Sequence, residues 1–338
     1  MILDITSAKK IVDLTYADSK NGNNRILNTD GSVPIVQVKG FIDLKNIHHG
    51  FTTRLGGVSK GIYESLNMGL RLDDSREDVI QNYQRLGESM GFDHTRISCP
   101  DQVHKSNILV VTEDDAGVGI KTELTHREID AQITNVPGIP LIVYSADCVP
   151  ILLADPISRV IASVHAGWRG TVQGIAAKTV QKMIEVYGCL PENIFAVIGP
   201  SISMENYEVD RTVIDEIMKC PYIDMSDENT VINDIDGVNV TVLCREGSFL
   251  RENVPVDYLG KKLTHPGAPY PLFRTVSIRK KYMLDLWKLN ELILVNSGIS
   301  SGHIYNTRLC TMKYHDLFFS HRYTNGRRGL NAGIIFLS

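Results

Sequence analysis

No uninterrupted apolar run in this 338-residue sequence approaches the roughly 18 residues that suggest a membrane span, so no membrane partner is expected. Met1 to Lys10 lacks the apolar core and small-residue cleavage site of a secretory leader. The six cysteines, at 99, 148, 189, 220, 244 and 310, form no C-x-x-C pair, which favours reduced thiols in a cytoplasmic protein over a disulfide framework. The glycines build neither G-x-G-x-x-G nor a P-loop in a strand–loop–helix setting, which disfavours the common nucleotide cradles. No internal repeat or low-complexity tract is present. A formal net charge of −4 supplies no global pull toward nucleic acid or an anionic membrane, and Arg327-Arg328 and Arg279 to Lys281 read as solvated surface.

What is present suits a soluble enzyme. At 43% hydrophobic and 22% charged, the chain can bury one large core or two modest ones. Ser75-Arg76-Glu77-Asp78 resembles a capping box, and Val79, Tyr83, Leu86 and Met90 recur at helical spacing, which predicts a helix over about 76–90. Thr171 to Tyr187 reads as a helix stopped by Gly188, and Asp285 opens another over Leu286 to about Ser297. Ile97 to Cys99, Ile108 to Val111, Phe195 to Gly199 and Gly333 to Leu337 read as strands, with Gln102-Val103-His104 on the bend between the first two. Residues 1–40 read as an extension of short strands and loops. Residues about 218–280 read as an insertion or elaborated loop region. Strands and helices without clean βαβ alternation favour an α+β or mixed-sheet fold.

Ile151 to Pro156 and Val160 to Trp168 are two apolar strands joined by a turn, the signature of an antiparallel hairpin. With Ala154 opposite Val160, Cys148 falls opposite Ala166 and beside His165. A thiol and an imidazole at the open end of a hairpin can form either a zinc site or a Cys/His nucleophile pair. A bulge near Pro150 would shift this register by one.

Nine ordered blocks extend the pattern along the chain: Phe51 to Ser59 with Ser65-Leu66-Asn67; Gln102-Val103-His104; Asp130 to Thr134; Ala146 to Pro150; His165 to Gly170; Ile198 to Ile202; Tyr207 to Val209; Leu284 to Trp287; and Cys310-Thr311 with Phe318 to Arg322. Together they resemble the multicopper-oxidase-like laccase-domain family, also called the YfiH/YlmD or peptidoglycan editing factor family, over about residues 47–338. The resemblance implies one mixed α/β domain with layered mixed sheets over 41–338. It also implies zinc held by His104, Cys148 and His165, and phosphorolysis of adenosine, inosine, guanosine or 5′-methylthioadenosine, with adenosine deamination beside it. Purine nucleosides and phosphate would be the partners. Three protein ligands leave a fourth position open, as in catalytic zinc sites.

Further residues are weighed with it. Asp147 is read as orienting a ligating histidine or accepting a proton near the metal, or else as a turn carboxylate. Arg54, on a Gly-Gly loop, is read as a phosphate clamp, its alternative being a surface ion pair. Asn67 is read as bonding substrate hydroxyls or as a turn residue, and Arg169 as facing the same cleft or as solvated. Trp168 and Trp287 invite base stacking, with core packing the better reading for Trp287. The C-terminal block Ser320 to Arg327 departs from the aromatic-Arg pair and Thr-Gly-Arg usual in the family, which makes its arginines less secure as site residues.

Three other functions stay open. Peptidoglycan-precursor editing would release an amino acid from a UDP-muramoyl substrate through zinc hydroxide or the Cys148/His165 pair. Copper-dependent polyphenol oxidation is weakened because the ten histidines form no His-x-His pair. A binding protein with structural zinc would need a fourth ligand from His303, His315, His321 or Cys310.

Overall fold

A computed structural model describes residues 5–14, 25–223, 230–235, 239–244, 250–253 and 281–338. Its centre is a mixed six-stranded sheet, in the order 304–306, 195–198, 149–155, 160–166, 131–134, 108–110, with parallel pairing at its two edges. A second, antiparallel sheet of five strands has the order 25–28, 35–38, 47–52, 331–337, 141–145.

Alternation along the strands builds the layers. In strand Val149–Asp155, Ile151 and Leu153 face one core while Leu152 and Ala154 face another. The second core lies between the sheets, where Leu152, Ile161 and Val197 meet Phe51, Val143 and Ile335. Because both strand faces are covered, every residue from Val149 to Asp155 is buried. Helices Ile175–Tyr187 and Leu286–Asn296 cover the outer face of the six-stranded sheet, and helix Arg76–Met90 covers the five-stranded one through Val79, Tyr83 and Leu86. The result is a four-layer, mixed α/β arrangement with open sheets.

The capped helices form as their sequences dictate. Ser75 accepts the Asp78 N–H, and Gly91 ends that helix at φ +79. Asp285 accepts the Lys288 N–H at 3.0 Å, and Gly188 closes its helix at φ +68. Three expectations are corrected. The continuous helix from Thr171 is broken into Trp168–Val172 and Ile175–Tyr187, because Gly174 takes φ +73 and a Cβ there would run into the Tyr222 ring. The stretch Ile97 to Cys99 contributes only an isolated bridge, Ser98 to Leu141. Residues 1–40 include a helix, Ile5–Leu14, whose Ala8 and Val12 are buried at helical spacing, and the strands beyond it extend the five-stranded sheet.

Within the expected 218–280 insertion, strands Thr230–Ile235 and Asn239–Cys244 pair with each other. Leu250–Asn253 joins Lys281–Leu284, which in turn pairs with Glu208–Asp210. The remainder, 224–229, 236–238, 245–249 and 254–280, lies outside the described residues, as does most of the Arg279 to Lys281 patch.

Candidate functional site

The hairpin register decides the site. Asp155 pairs with Val160, Ala154 with Ile161, Pro150 with His165 and Val149 with Ala166, one residue away from the expected alignment. Asp155 sets this slip by accepting the Ile157 and Ser158 N–H groups, each at 2.9 Å, so that the turn holds four residues and not five. Opposed residues share a face of a sheet. The expected alignment would have put Cys148 on the face opposite to His165. The observed one places Pro150, and therefore the position two residues before it, on the His165 side.

His104 arrives from the bend after Gln102, with its backbone in the left-handed region at φ +63. Its Nε2 lies 3.7 Å from the Cys148 Sγ, and its ring meets the His165 ring edge-on at 4.7 Å. The ligand atoms of His104, Cys148 and His165 all lie within 4.8 Å of one another. Tetrahedral zinc, at about 2.3 Å from sulfur and about 2.0–2.1 Å from nitrogen, would hold those donor types about 3.6 Å apart, so the set fits zinc. Gly167 makes the approach of the donors feasible, since a Cβ there would sit 3.0 Å from both the Cys148 Sγ and the His104 ring. Among the described residues no fourth His, Cys, Asp or Glu joins the group. Cys310 instead accepts N–H groups from Ser203, Asn206 and Lys313. His303 stacks on Phe195, and His315 on Tyr323.

Asp130 organises the group. Its carboxylate lies 2.8 Å from the His165 Nδ1 and accepts the backbone N–H groups of Val103, His104 and Lys105. One buried carboxylate thus holds the His165 ring and the loop that carries His104. Burial alone would push the Cys148 thiol up, but the charge of His165 and hydrogen bonds from both histidines outweigh it and bring the thiol down to about 6. His165, lowered by burial, is lifted to about 9 by Cys148 and Asp130. The pair is therefore disposed to donate a thiolate to a metal or an electrophile.

The three donors open onto a cavity of about 720 Å³ at the strand ends, walled by Leu70, Leu72, Pro100, Leu124, Tyr144 and Leu330. Arg71, Arg76, Lys121, Arg127 and Arg328 line it with Glu123 as the one carboxylate, so its lining carries net positive charge within a chain of net negative charge, Asp101 offsetting part of it from behind. Arg328 is the functional candidate that sequence reasoning missed. The Arg327-Arg328 pair, read from the sequence as solvated surface, is corrected at Arg328, which is part-buried and lines the cavity.

Four expected residues stand elsewhere. Asp147, at φ +89, turns its carboxylate to the Thr311 hydroxyl and the Arg322 N–H, both at 2.6 Å; the histidine-orienting carboxylate is Asp130. Arg54 donates to the carbonyls of Glu64 and His315 and lies over the Phe319 ring, outside the large cavity. Asn67 is fully buried, donating to Asp74 and accepting from Gly69 and Leu330. Arg169 stacks over Trp168 at 4.3 Å. The Trp287 indole donates to Ser201, and both tryptophans pack against the core beneath the helices and not in the cavity.

A family profile described as multi-copper polyphenol oxidoreductase laccase matches residues 48–254 and 261–338. The chain is 32% identical over 286 residues to the purine nucleoside phosphorylase YlmD of Bacillus subtilis, covering 84% of this chain and 86% of that one. It is also 32% identical to a purine nucleoside phosphorylase of Bacteroides thetaiotaomicron, over 86% of this chain and 90% of that one. The crystal structure of the Bacillus licheniformis hypothetical protein YfiH superposes with a TM-score of 0.73 at 29% identity, covering 94% of this chain and all of the other. YlmD from Geobacillus stearothermophilus superposes with a TM-score of 0.71 at 31% identity, covering 92% and 97%. Sequence, layered mixed-sheet fold and the gathered His-Cys-His group agree, and this chain belongs to the laccase-like YfiH/YlmD family.

Proposed function

We propose that this chain is a zinc-dependent purine nucleoside phosphorylase. The observation that carries the reading is the group of His104, Cys148 and His165 opening on a nucleoside-sized or larger cavity, in a chain whose relatives bear that name. Adenosine, inosine, guanosine and 5′-methylthioadenosine are the substrates proposed. A phosphate oxygen bonds to C1′ while the C1′–N9 bond breaks. The bonding pair leaves with the purine, which takes up a proton, and ribose 1-phosphate or its methylthio analogue is the other product. Zinc held by the three donors would supply Lewis acidity at the polar end of the cavity.

The chain's own residues prepare that chemistry. Asp130 fixes the His165 ring through Nδ1 and leaves Nε2 toward the donor group. The apolar walls offer contact to a purine. Adenosine deamination, in which water adds at C6 and ammonia leaves, is proposed as an accompanying activity of the same cavity. The test is base release from inosine and adenosine by zinc-loaded protein, with and without phosphate. Phosphate-dependent formation of free base and ribose 1-phosphate, reduced more than about 100-fold in a folded Cys148→Ala variant, is expected. No turnover by folded, zinc-loaded protein would overturn the reading.

The cavity volume and its basic rim favour one second reading, an amidase acting on a UDP-muramoyl precursor, whose diphosphate would face those cations. Release of an amino acid from that substrate, with nucleosides untouched, would select it. Copper-dependent phenol oxidation gains no such support, because one three-donor group is found among the described residues where several copper ions would need several.

A further inference from the structure

Four arginines line the large cavity, and three have partners. Arg71 pairs with Asp101, Arg127 lies 4.0 Å from the same carboxylate, and Arg76 donates to the Ile120 carbonyl. Arg328 differs. Its Nε is buried and has no hydrogen-bond partner among the described residues. A buried guanidinium N–H left unmatched is costly in a fold that satisfies nearly all of its polar groups, and an oxyanion is the partner that the Nε edge fits in bidentate fashion.

The position of Arg328 points the same way. It lines the large cavity together with His104, Cys148 and His165, and also an adjoining pocket of about 150 Å³ that Arg54 and Arg327 border. The segment carrying it is pinned from behind. Asn67 accepts the Leu330 N–H at 2.9 Å, and Leu330 accepts the Met68 N–H at 3.0 Å. Gly329 lies under the Phe319 ring, where a Cβ would come within 2.7 Å, and Arg54 covers that ring at 4.6 Å. Arg54 and Asn67, expected to touch substrate, thus brace the segment that brings Arg328 into the cavity.

Resting on the phosphorolysis reading, we propose that Arg328 binds the inorganic phosphate that attacks C1′. The test uses zinc-loaded, full-length protein in two measurements: calorimetric titration with inorganic phosphate alone, and base release from inosine at varied phosphate. Arg328→Gln is expected to weaken phosphate binding and raise the phosphate KM by about 10- to 100-fold, with zinc content and the inosine KM unchanged. Arg328→Lys, which keeps the charge and loses the fork, should recover part of the loss, and it keeps the proposal testable if the Gln variant does not fold. Arg327→Gln, an exposed neighbour, should change the phosphate KM by no more than about 5-fold. An unchanged phosphate KM in Arg328→Gln, or an equal effect of Arg327→Gln, would overturn the assignment while leaving phosphorolysis intact. Phosphate binding that depends on Arg328 without base release would instead support the anion site and reject phosphorolysis.

Discussion

At the scale of single residues, the site depends on one carboxylate doing two jobs. Asp130 fixes a ring nitrogen of His165 and three successive N–H groups of the loop bearing His104. Asp130→Asn keeps the size and an acceptor but removes the charge that favours a uniquely oriented imidazole. Zinc affinity, measured by competition with a chelator, should fall about 10- to 100-fold while the circular dichroism spectrum stays native. Affinity equal to that of the unmodified protein would show that the ring is held by packing alone. Asp147, adjacent to Cys148 in sequence, was the more obvious orienting candidate. It lost that role because its left-handed backbone turns the carboxylate toward Thr311 and Arg322.

At the scale of elements, local signals were readable wherever the physics is local. The Ser75 cap, the Gly91 and Gly188 stops and the Asp285 start all lie within a few residues of the groups they satisfy. Asp285 also carries a penalty: burial, against the hydrogen bond from Lys288 and with Glu291 nearby, pushes its carboxyl up from 3.8 to about 6. A carboxyl raised on folding contributes its stability below the unfolded value near 3.8 and loses it as pH rises through about 6. Asp285→Asn retains a helix-capping oxygen without the buried charge. It should therefore stabilise the protein by about 1 kcal/mol at pH 8 and by less at pH 5, the gain vanishing only as pH falls toward 3.8, as read by thermal melts across that range. A gain larger at pH 5 than at pH 8 would contradict this account. The hairpin turn is the opposite case. A four-residue and a five-residue turn were both compatible with the sequence, and the difference of one residue exchanges the faces of the strand.

At the scale of the whole molecule, the interlayer core packs together the two sheets whose strand ends border the cavity. Leu152 is fully buried between the sheets, so Leu152→Ala should cost about 2–5 kcal/mol in denaturant unfolding. The folded fraction should still bind zinc, because the donors sit beyond that core. A loss of zinc binding in fully folded protein would mean that the layers and the site are coupled more tightly than the packing implies.

The sequence by itself determined the capped helices, most of the apolar strands, the family and, through the family's motifs, the three candidate metal donors. Each of these is written in neighbouring residues or in an ordered set of motifs. Only the folded structure chose between the two turn lengths, and so the strand register that puts Cys148 and His165 on one face. It also decided the choice of Asp130 over Asp147 and the arrival of Arg328 in the cavity while Arg54 and Asn67 stay behind as supports. Apart from the register, which the Asp155 turn sets locally, these are contacts between residues far apart in the chain, and their geometry is set by sheet pairing and layer packing, which no local pattern encodes.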